Sequence, residues 1–317
     1  MVAAMGKRLQ ISVAFAFVYV VWGSTYVAIR YAAQLLHPSL ISGLRYVIAG
    51  SLLMSYLWAR GRRLRLPRRQ LLRIAALGFL MFSVNTTLLN YGSQVLSAGV
   101  TALFLSTIPL FIAVIEAFLA GGTRLSALGW AGTVTGFGGL VLLTSRSLQG
   151  QPMTSAAGLA CLALVVASLA WAAGSIISKR LMLTASPLVL SCWQMLSAGC
   201  INMTIGVACG GIQTSHWTRG AWGATLYLAV FGSLLSYTSY LFLLRHVRIS
   251  VVATYAYVNP VVAVMLGWLI LHERLHGIEW AGMVVVLASV AVVITSKPAD
   301  RQRAIEARLA ARALADP

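Results

Sequence analysis

Ten apolar stretches follow one another along this chain, near residues 11–29, 40–59, 71–90, 96–119, 127–144, 157–177, 187–208, 222–244, 250–271 and 278–296. A helix needs about 20 such residues to cross the hydrocarbon core of a bilayer. Lipid offers no partner to a bare backbone N–H or C=O, and these runs are too long for barrel strands, so each reads as a helix. The expected fold class is an all-α membrane protein with ten transmembrane helices. Lys7 and Arg8 precede the first run in the manner of a signal peptide. That run exceeds the roughly 7 to 15 residues of a signal-peptide core and reads as the first span.

Only 9% of the residues are charged, against about a quarter in soluble domains, so the chain cannot build a soluble surface. The 24 Lys and Arg residues outnumber the acidic ones by 18, an excess that would suggest nucleic acid as the partner of a soluble protein. Here the basic residues sit between the apolar runs. With the N-terminus in the cytoplasm, Lys7 and Arg8, the Arg60–Arg73 cluster, Arg124, Lys179, Arg180, Arg245, Arg248 and the tail from Lys297 to Arg312 all lie inside. Arg30, Arg146, Arg219 and Arg274 lie outside, and Arg45 lies within the second span. This bias predicts cytoplasmic termini, with the bilayer rather than nucleic acid as the surrounding partner. A bacterial inner membrane is the expected location. Residues 298–317 form a basic cytoplasmic tail, either an amphipathic helix on an anionic leaflet or a solvated segment. Cys161, Cys192, Cys200 and Cys209 form no CxxC pair and read as packing residues.

The second half repeats the first. A shift of 149 residues pairs Trp22 with Trp171, Pro38 with Pro187, Ser42 with Ser191 and Gly50 with Gly199. A shift of 151 pairs Pro109 with Pro260, and one of 150 pairs Trp130-Ala131-Gly132 with Trp280-Ala281-Gly282. Near-constant offsets over most of the chain indicate duplication. Five spans per copy is an odd number, so the copies, 11–144 and 157–297, enter the membrane from opposite sides. Two inverted five-helix repeats are a recurring architecture of secondary transporters, with the substrate site near the midplane between them. Pro109 and Pro260 fall near the centres of spans 4 and 9, where each is expected to kink its helix and free the carbonyl of Leu105 or Ala256. The glycines of span 5 include the pair Gly132 and Gly136 at GxxxG spacing, which favours close helix approach within the fold and leaves a homo-oligomer open.

Several segments together resemble the EamA-type branch of the drug/metabolite transporter superfamily, particularly its YedA-like members. They are Trp22-Gly23-Ser24-Thr25-Tyr26, the stretch from Pro38 to Gly43-Leu44-Arg45, Thr254-Tyr255-Ala256-Tyr257-Val258-Asn259-Pro260, and His272-Glu273-Arg274-Leu275. The resemblance covers about residues 11–297. It implies ten helices in two inverted halves, a central cavity, and export of amino acids, related metabolites or amphiphilic drugs. One departure stands out: the first half has Thr123 where the second has Glu273. A symmetrical role for that acidic loop residue is therefore in doubt.

The expected cavity lining is aromatic with scattered amides and hydroxyls: Trp22, Tyr26, Asn85, Ser106, Trp171, Tyr237, Tyr255, Tyr257 and Asn259. Such walls suit a small organic substrate. Two ionisable residues lie within spans, where charge is costly and usually functional. Arg45 either attracts an anionic group of the substrate or ties helix ends together and snorkels outward. Glu116 either exchanges protons or pairs with Arg124 at the interface. No P-loop pattern is present, so neither ATP nor any other cofactor is expected.

His272-Glu273-Arg274-Leu275-His276 matches the His-Glu-x-x-His pattern of zinc hydrolases. Its place in a short connection, the following Gly277 and the lack of a third ligand argue against metal. An intramembrane protease is the enzyme alternative to the transporter, and a non-transporting helical scaffold is the third reading.

Overall fold

The structure, a computed structural model, describes residues 6–120, 122, 124–145, 155–181, 185–247, 249–252 and 254–296. The expected tail at 298–317, together with Thr123, Arg146, Arg248 and Lys297, lies outside the described residues. The described chain is helical, without a strand. Its helices are α1 (Lys7–Ala33), α2 (Pro38–Ala59), α3 (Arg68–Val95), α4 (Ala98–Phe118), α5 (Ala127–Ser145), α6 (Ala156–Arg180), α7 (Pro187–Ala208), α8 (Arg219–Leu243), α9 (Tyr255–Leu271) and α10 (Gly277–Thr295). Among the described residues, nine of these are long and apolar enough to cross a membrane. The exception, α9, has 17 residues and follows a separate turn at Ile249–Val252.

Local chemistry sets where the helices start. Pro38 and Pro187, equivalent in the repeat, are the first residues of α2 and α7, where the missing N–H of proline has no helical partner to lose. The hydroxyls of Ser97, Ser155 and Thr218 accept from the backbone N–H groups of Val100, Gly158 and Ala221, closing the first turns of α4, α6 and α8.

The helices pair across the repeat. The two most extensive helix contacts are α2 with α7 and α5 with α10, each between equivalent elements of the two halves. Glycine makes this closeness possible. A Cβ at Gly199 would lie 2.7 Å from the Val47 backbone nitrogen, and one at Gly282 would lie 2.8 Å from that of Leu143. Gly132 and Gly136 face Val292 and Ser289 of α10, so the GxxxG pair is used inside the fold.

Three helices contain π-helical segments: α1 at Phe17–Val21, α3 at Phe79–Val84 and α8 at Leu228–Ser236. A π segment carries an extra residue in the turn and disturbs the regular backbone ladder. In α1, side chains from the other half meet the backbone there. Ser236 donates to the Phe17 carbonyl at 3.2 Å. With its amide turned so that nitrogen faces acceptors, Asn259 donates to the carbonyls of Val18 and Tyr19 at 3.0 Å each. In α3, Asn85 directly follows the π segment and donates to Ala167 of α6 at 2.8 Å. Asn85 and Ser236 are equivalent in the repeat, as are Ala167 and Phe17. The same cross-half bond is thus made twice, from the third helix of one half to the first helix of the other.

The two prolines sit differently in their helices. In α4 the helix is interrupted at Thr107, and Pro109 lies in the opening turn of the second segment, Ile108–Phe118. Hydroxyls gather at this break: Ser106 donates to Leu103, Thr107 to Phe104, and Ser168 of α6 also to Phe104. In the second half the break comes before α9, where Thr254 donates to Val251, while Pro260 lies inside the helix.

Candidate functional site

A cavity lies between the halves. Its walls come from Trp22, Tyr26 and Ile29 of α1, Arg45 and Tyr46 of α2, Phe82 and Asn85 of α3, Trp171 of α6, Ser233 and Tyr237 of α8, and Tyr255 and Asn259 of α9, among others. The space open to the centre of a water molecule is about 80 Å³, and the total space between atoms, mouth included, is about 700 Å³. One water needs about 10–15 Å³ by the first measure, so this conformation has room for several waters in a slot that must widen to pass a larger solute.

The floor and walls are interlocked rings. Trp22 stacks on Tyr255 with centroids 5.4 Å apart, and Tyr240 lies against both. Phe82 meets Tyr46, Trp171 and Tyr237 edge-on. Such contacts fix ring orientation beyond simple burial. Polar groups anchor the frame: Tyr46 and Thr86 share a hydrogen bond of 2.8 Å, and Tyr19 hydrogen-bonds Thr254.

One charge enters the cavity wall. Arg45 is 5% exposed, and its Nε donates to Ser233 Oγ at 2.6 Å. Its guanidinium lies 5.3 Å from the Tyr46 ring centroid. Among the described residues no carboxylate is within ion-pair distance of it. The side chain therefore points into the protein and does not snorkel.

A second ionic group lies at the bundle end carrying the α9–α10 connection. Arg30 of α1 donates through Nε to Glu273 Oε1 at 3.2 Å and through Nη1 to the Ser93 carbonyl at 2.7 Å. Glu273 Oε2 accepts from the Ala98 backbone N–H at 2.9 Å, in the first turn of α4, where a carboxylate is favoured by the helix dipole. This one carboxylate ties together α1, α4 and the connection after α9. At the other end Lys179 approaches Glu116 at 3.7 Å, but the lysine side chain is 80% exposed. The two ends are not equivalent.

The sequence matches the EamA-like transporter family twice, over residues 10–145 and 158–295. The chain belongs to that family. The uncharacterized inner membrane transporter YedA of Escherichia coli K12 is 32% identical over 281 residues, covering 88% of this chain and 89% of YedA. The uncharacterized transporter YoaV of Bacillus subtilis is 22% identical, covering 81% of this chain and 87% of YoaV. A solved crystal structure at 17% identity covers 90% of this chain and 96% of its own, with a TM-score of 0.64, and shares the fold. This EamA-family chain is thus a multi-pass membrane protein of the drug/metabolite transporter type, with ten helices in two inverted five-helix repeats.

Of the expected lining residues, Trp22, Tyr26, Asn85, Trp171, Tyr237, Tyr255 and Asn259 reach the cavity, as does Arg45. Ser106 turns back on the Leu103 carbonyl. Tyr257 is absent from the lining and its hydroxyl is buried without a hydrogen-bond partner among the described residues. Phe82, Ser233 and the apolar Ile29, Leu89, Leu105, Ile108 and Met195 were not among the expected residues and do line it.

The zinc-like pattern has structural uses throughout. His272 ends α9 in the left-handed region at φ 56°, Glu273 holds Arg30, and His276 caps α10 in a reciprocal pair with Glu279. The two histidines flank a non-helical connection, so the one-helix geometry of zinc hydrolases is not formed. No cluster of three metal-ligating side chains occurs among the described residues.

Proposed function

We propose that this chain is a secondary transporter that carries small organic molecules out of the cytoplasm by alternating access, with both termini cytoplasmic. The observation that most supports this reading is the aromatic cavity, whose wall residues come from both inverted halves. A cavity at such a seam is exposed to one side or the other as the halves rock. The charge bias supports the orientation, which makes the Arg30–Glu273 end the outer one. Amino acids, related metabolites and amphiphilic drugs are the substrate classes that the family resemblance suggests, and it also supports the outward direction. The relation to a bacterial inner membrane transporter supports the same membrane here.

Counterflow in proteoliposomes tests the reading. A panel of amino acids, cationic dyes and sugars is offered with and without a pH gradient. At least one solute should exchange. Cysteines replacing Arg30 and Glu273, joined by a bifunctional thiol reagent, should stop that exchange reversibly by fastening α1 to the α9–α10 connection. Exchange that continues in the cross-linked protein would argue against rocking of the halves, and a wild type that exchanges nothing would argue for a scaffold.

A further inference from the structure

From the surroundings of Arg45 we infer that the cavity holds an organic monocarboxylate with an aromatic or apolar body, the carboxylate seated on the Arg45 guanidinium. This rests on the transporter reading and narrows its substrate class. Arg45 is the seventh residue of α2 after Pro38, about 10 Å along the helix at 1.5 Å per residue. It is deep enough that a guanidinium without an anion is costly. Its burial at 5% exposure removes most of the water that would otherwise stabilise the charge.

Among the described residues, only one of its five N–H groups has a protein acceptor, through the bond from Nε to Ser233. The Tyr46 ring offsets part of the cost. The remaining fork belongs to a side chain in the cavity wall, and carboxylate is the anion whose planar oxygens match it in a bidentate pair. Gly232 leaves room for the guanidinium itself: a Cβ there would lie 2.9 Å from Thr25 Cγ2 and 3.1 Å from Arg45 Nη2.

The rest of the wall limits the ligand further. Among the described residues no Asp, Glu, Lys or second Arg lines the cavity. A single fixed positive charge balances one negative charge, so a monocarboxylate fits better than a doubly charged phosphate ester. A cationic amphiphile would meet a like charge with nothing to offset it. Trp22, Tyr26, Phe82, Trp171, Tyr237 and Tyr255 supply flat apolar surface for the body of the molecule. The equivalent of Arg45 in the other half is neutral Gln194, so the site is present once and the ligand has one orientation.

The test compares three probes on one phenylpropyl skeleton: 3-phenylpropionate, its isosteric amide 3-phenylpropanamide, and the cationic 3-phenylpropylamine. Each is radiolabelled and bound to the purified full chain in equilibrium dialysis, with protein-free micelles of the same detergent as the reference for partitioning. The acid should bind at least tenfold more tightly than the amide and more tightly still than the amine, and Arg45→Gln should abolish that preference. Arg45→Lys keeps the charge without the fork, and should lose about tenfold for the acid. If Arg45→Gln fails to elute as a single species, Arg45→Lys decides. The inference is overturned if the acid does not bind, if the amide or amine binds as well, or if a folded variant keeps the full preference. Counterflow of a neutral or cationic solute that survives in such a protein would leave the transporter reading standing while removing the carboxylate site. Failure of every solute in wild-type counterflow would remove the transporter reading itself.

Discussion

Glu273→Gln keeps the shape of the side chain and removes its charge, which makes it the cleanest probe of the tie between α1, α4 and the α9–α10 connection. The Arg30 and Glu273 side chains are 17% and 18% exposed, with N···O at 3.2 Å. At an effective dielectric of about 20, unit charges at that range attract by roughly 5 kcal/mol before desolvation. Exposed pairs retain about 0–1 kcal/mol of this, and removing one partner of a fully buried pair costs about 3–5 kcal/mol. For this partly buried pair about 1.5 kcal/mol is expected, between those two limits. If the tie exists only when this end is closed, its loss shifts the closed-to-open ratio about tenfold, since about 1.4 kcal/mol is a factor of ten. Ile29 is 2% exposed and lines the cavity beside Arg30, so a cysteine there reports opening. With the exposed Cys200 and Cys209 replaced by serine, labelling of Ile29→Cys by a membrane-impermeant thiol reagent should speed up about tenfold when Glu273→Gln is added. An unchanged rate in a normally folded protein would show that the carboxylate is a static brace and does not gate that end.

The repeated cross-half bonds give a second expectation. Asn85→Ala and Ser236→Ala should each lower thermal stability in detergent by about 0.5–1.5 kcal/mol, and the double variant should show the sum because the sites are separate; strong non-additivity would contradict two independent ties. Gly199→Ala places a methyl 2.7 Å from the Val47 nitrogen, whereas a methyl at Gly138 would meet nothing within 4 Å. The first should therefore cost about 1–3 kcal/mol, and Gly138→Ala should be neutral in the same melting assay. Chelators should leave counterflow unchanged and the purified protein should carry no stoichiometric zinc; chelator-sensitive activity restored by zinc would revive the protease reading.

Much of the architecture is legible in the sequence because bilayer thickness, charge bias and duplication each leave a long-range pattern. The site is legible where the helical period does the sorting. Tyr255 and Asn259, four apart on α9, share the cavity face, while Tyr257, two positions from each, is turned about 200° away from Tyr255. The place of Tyr257 outside this cavity lining is thus a matter of facing and not of chemistry. Ile29, Leu89 and Met195 carry no local mark that separates a cavity wall from a helix contact. The π segments are hidden for another reason: the side chains meeting the α1 segment, Ser236 and Asn259, lie more than 200 positions away in the chain. The tie between Arg30 and Glu273 is half visible, since both can be read as loop charges, but the Ala98 N–H that completes it has no sequence signal.

The π segment of α1 also accounts for a small irregularity between the halves. Phe17 and Ala167, the two carbonyls that receive the cross-half bonds, are 150 positions apart, yet Trp22 and Trp171 are 149 apart. The first helix therefore holds one residue more than its uninterrupted counterpart across Phe17–Val21. Deleting one residue there should restore a regular turn, keep Trp22 facing the cavity, and leave the Asn259 amide without its two carbonyls. A one-letter change in chain length would then separate two things that the native helix combines, the aim of its aromatic face and its grip on the opposite half.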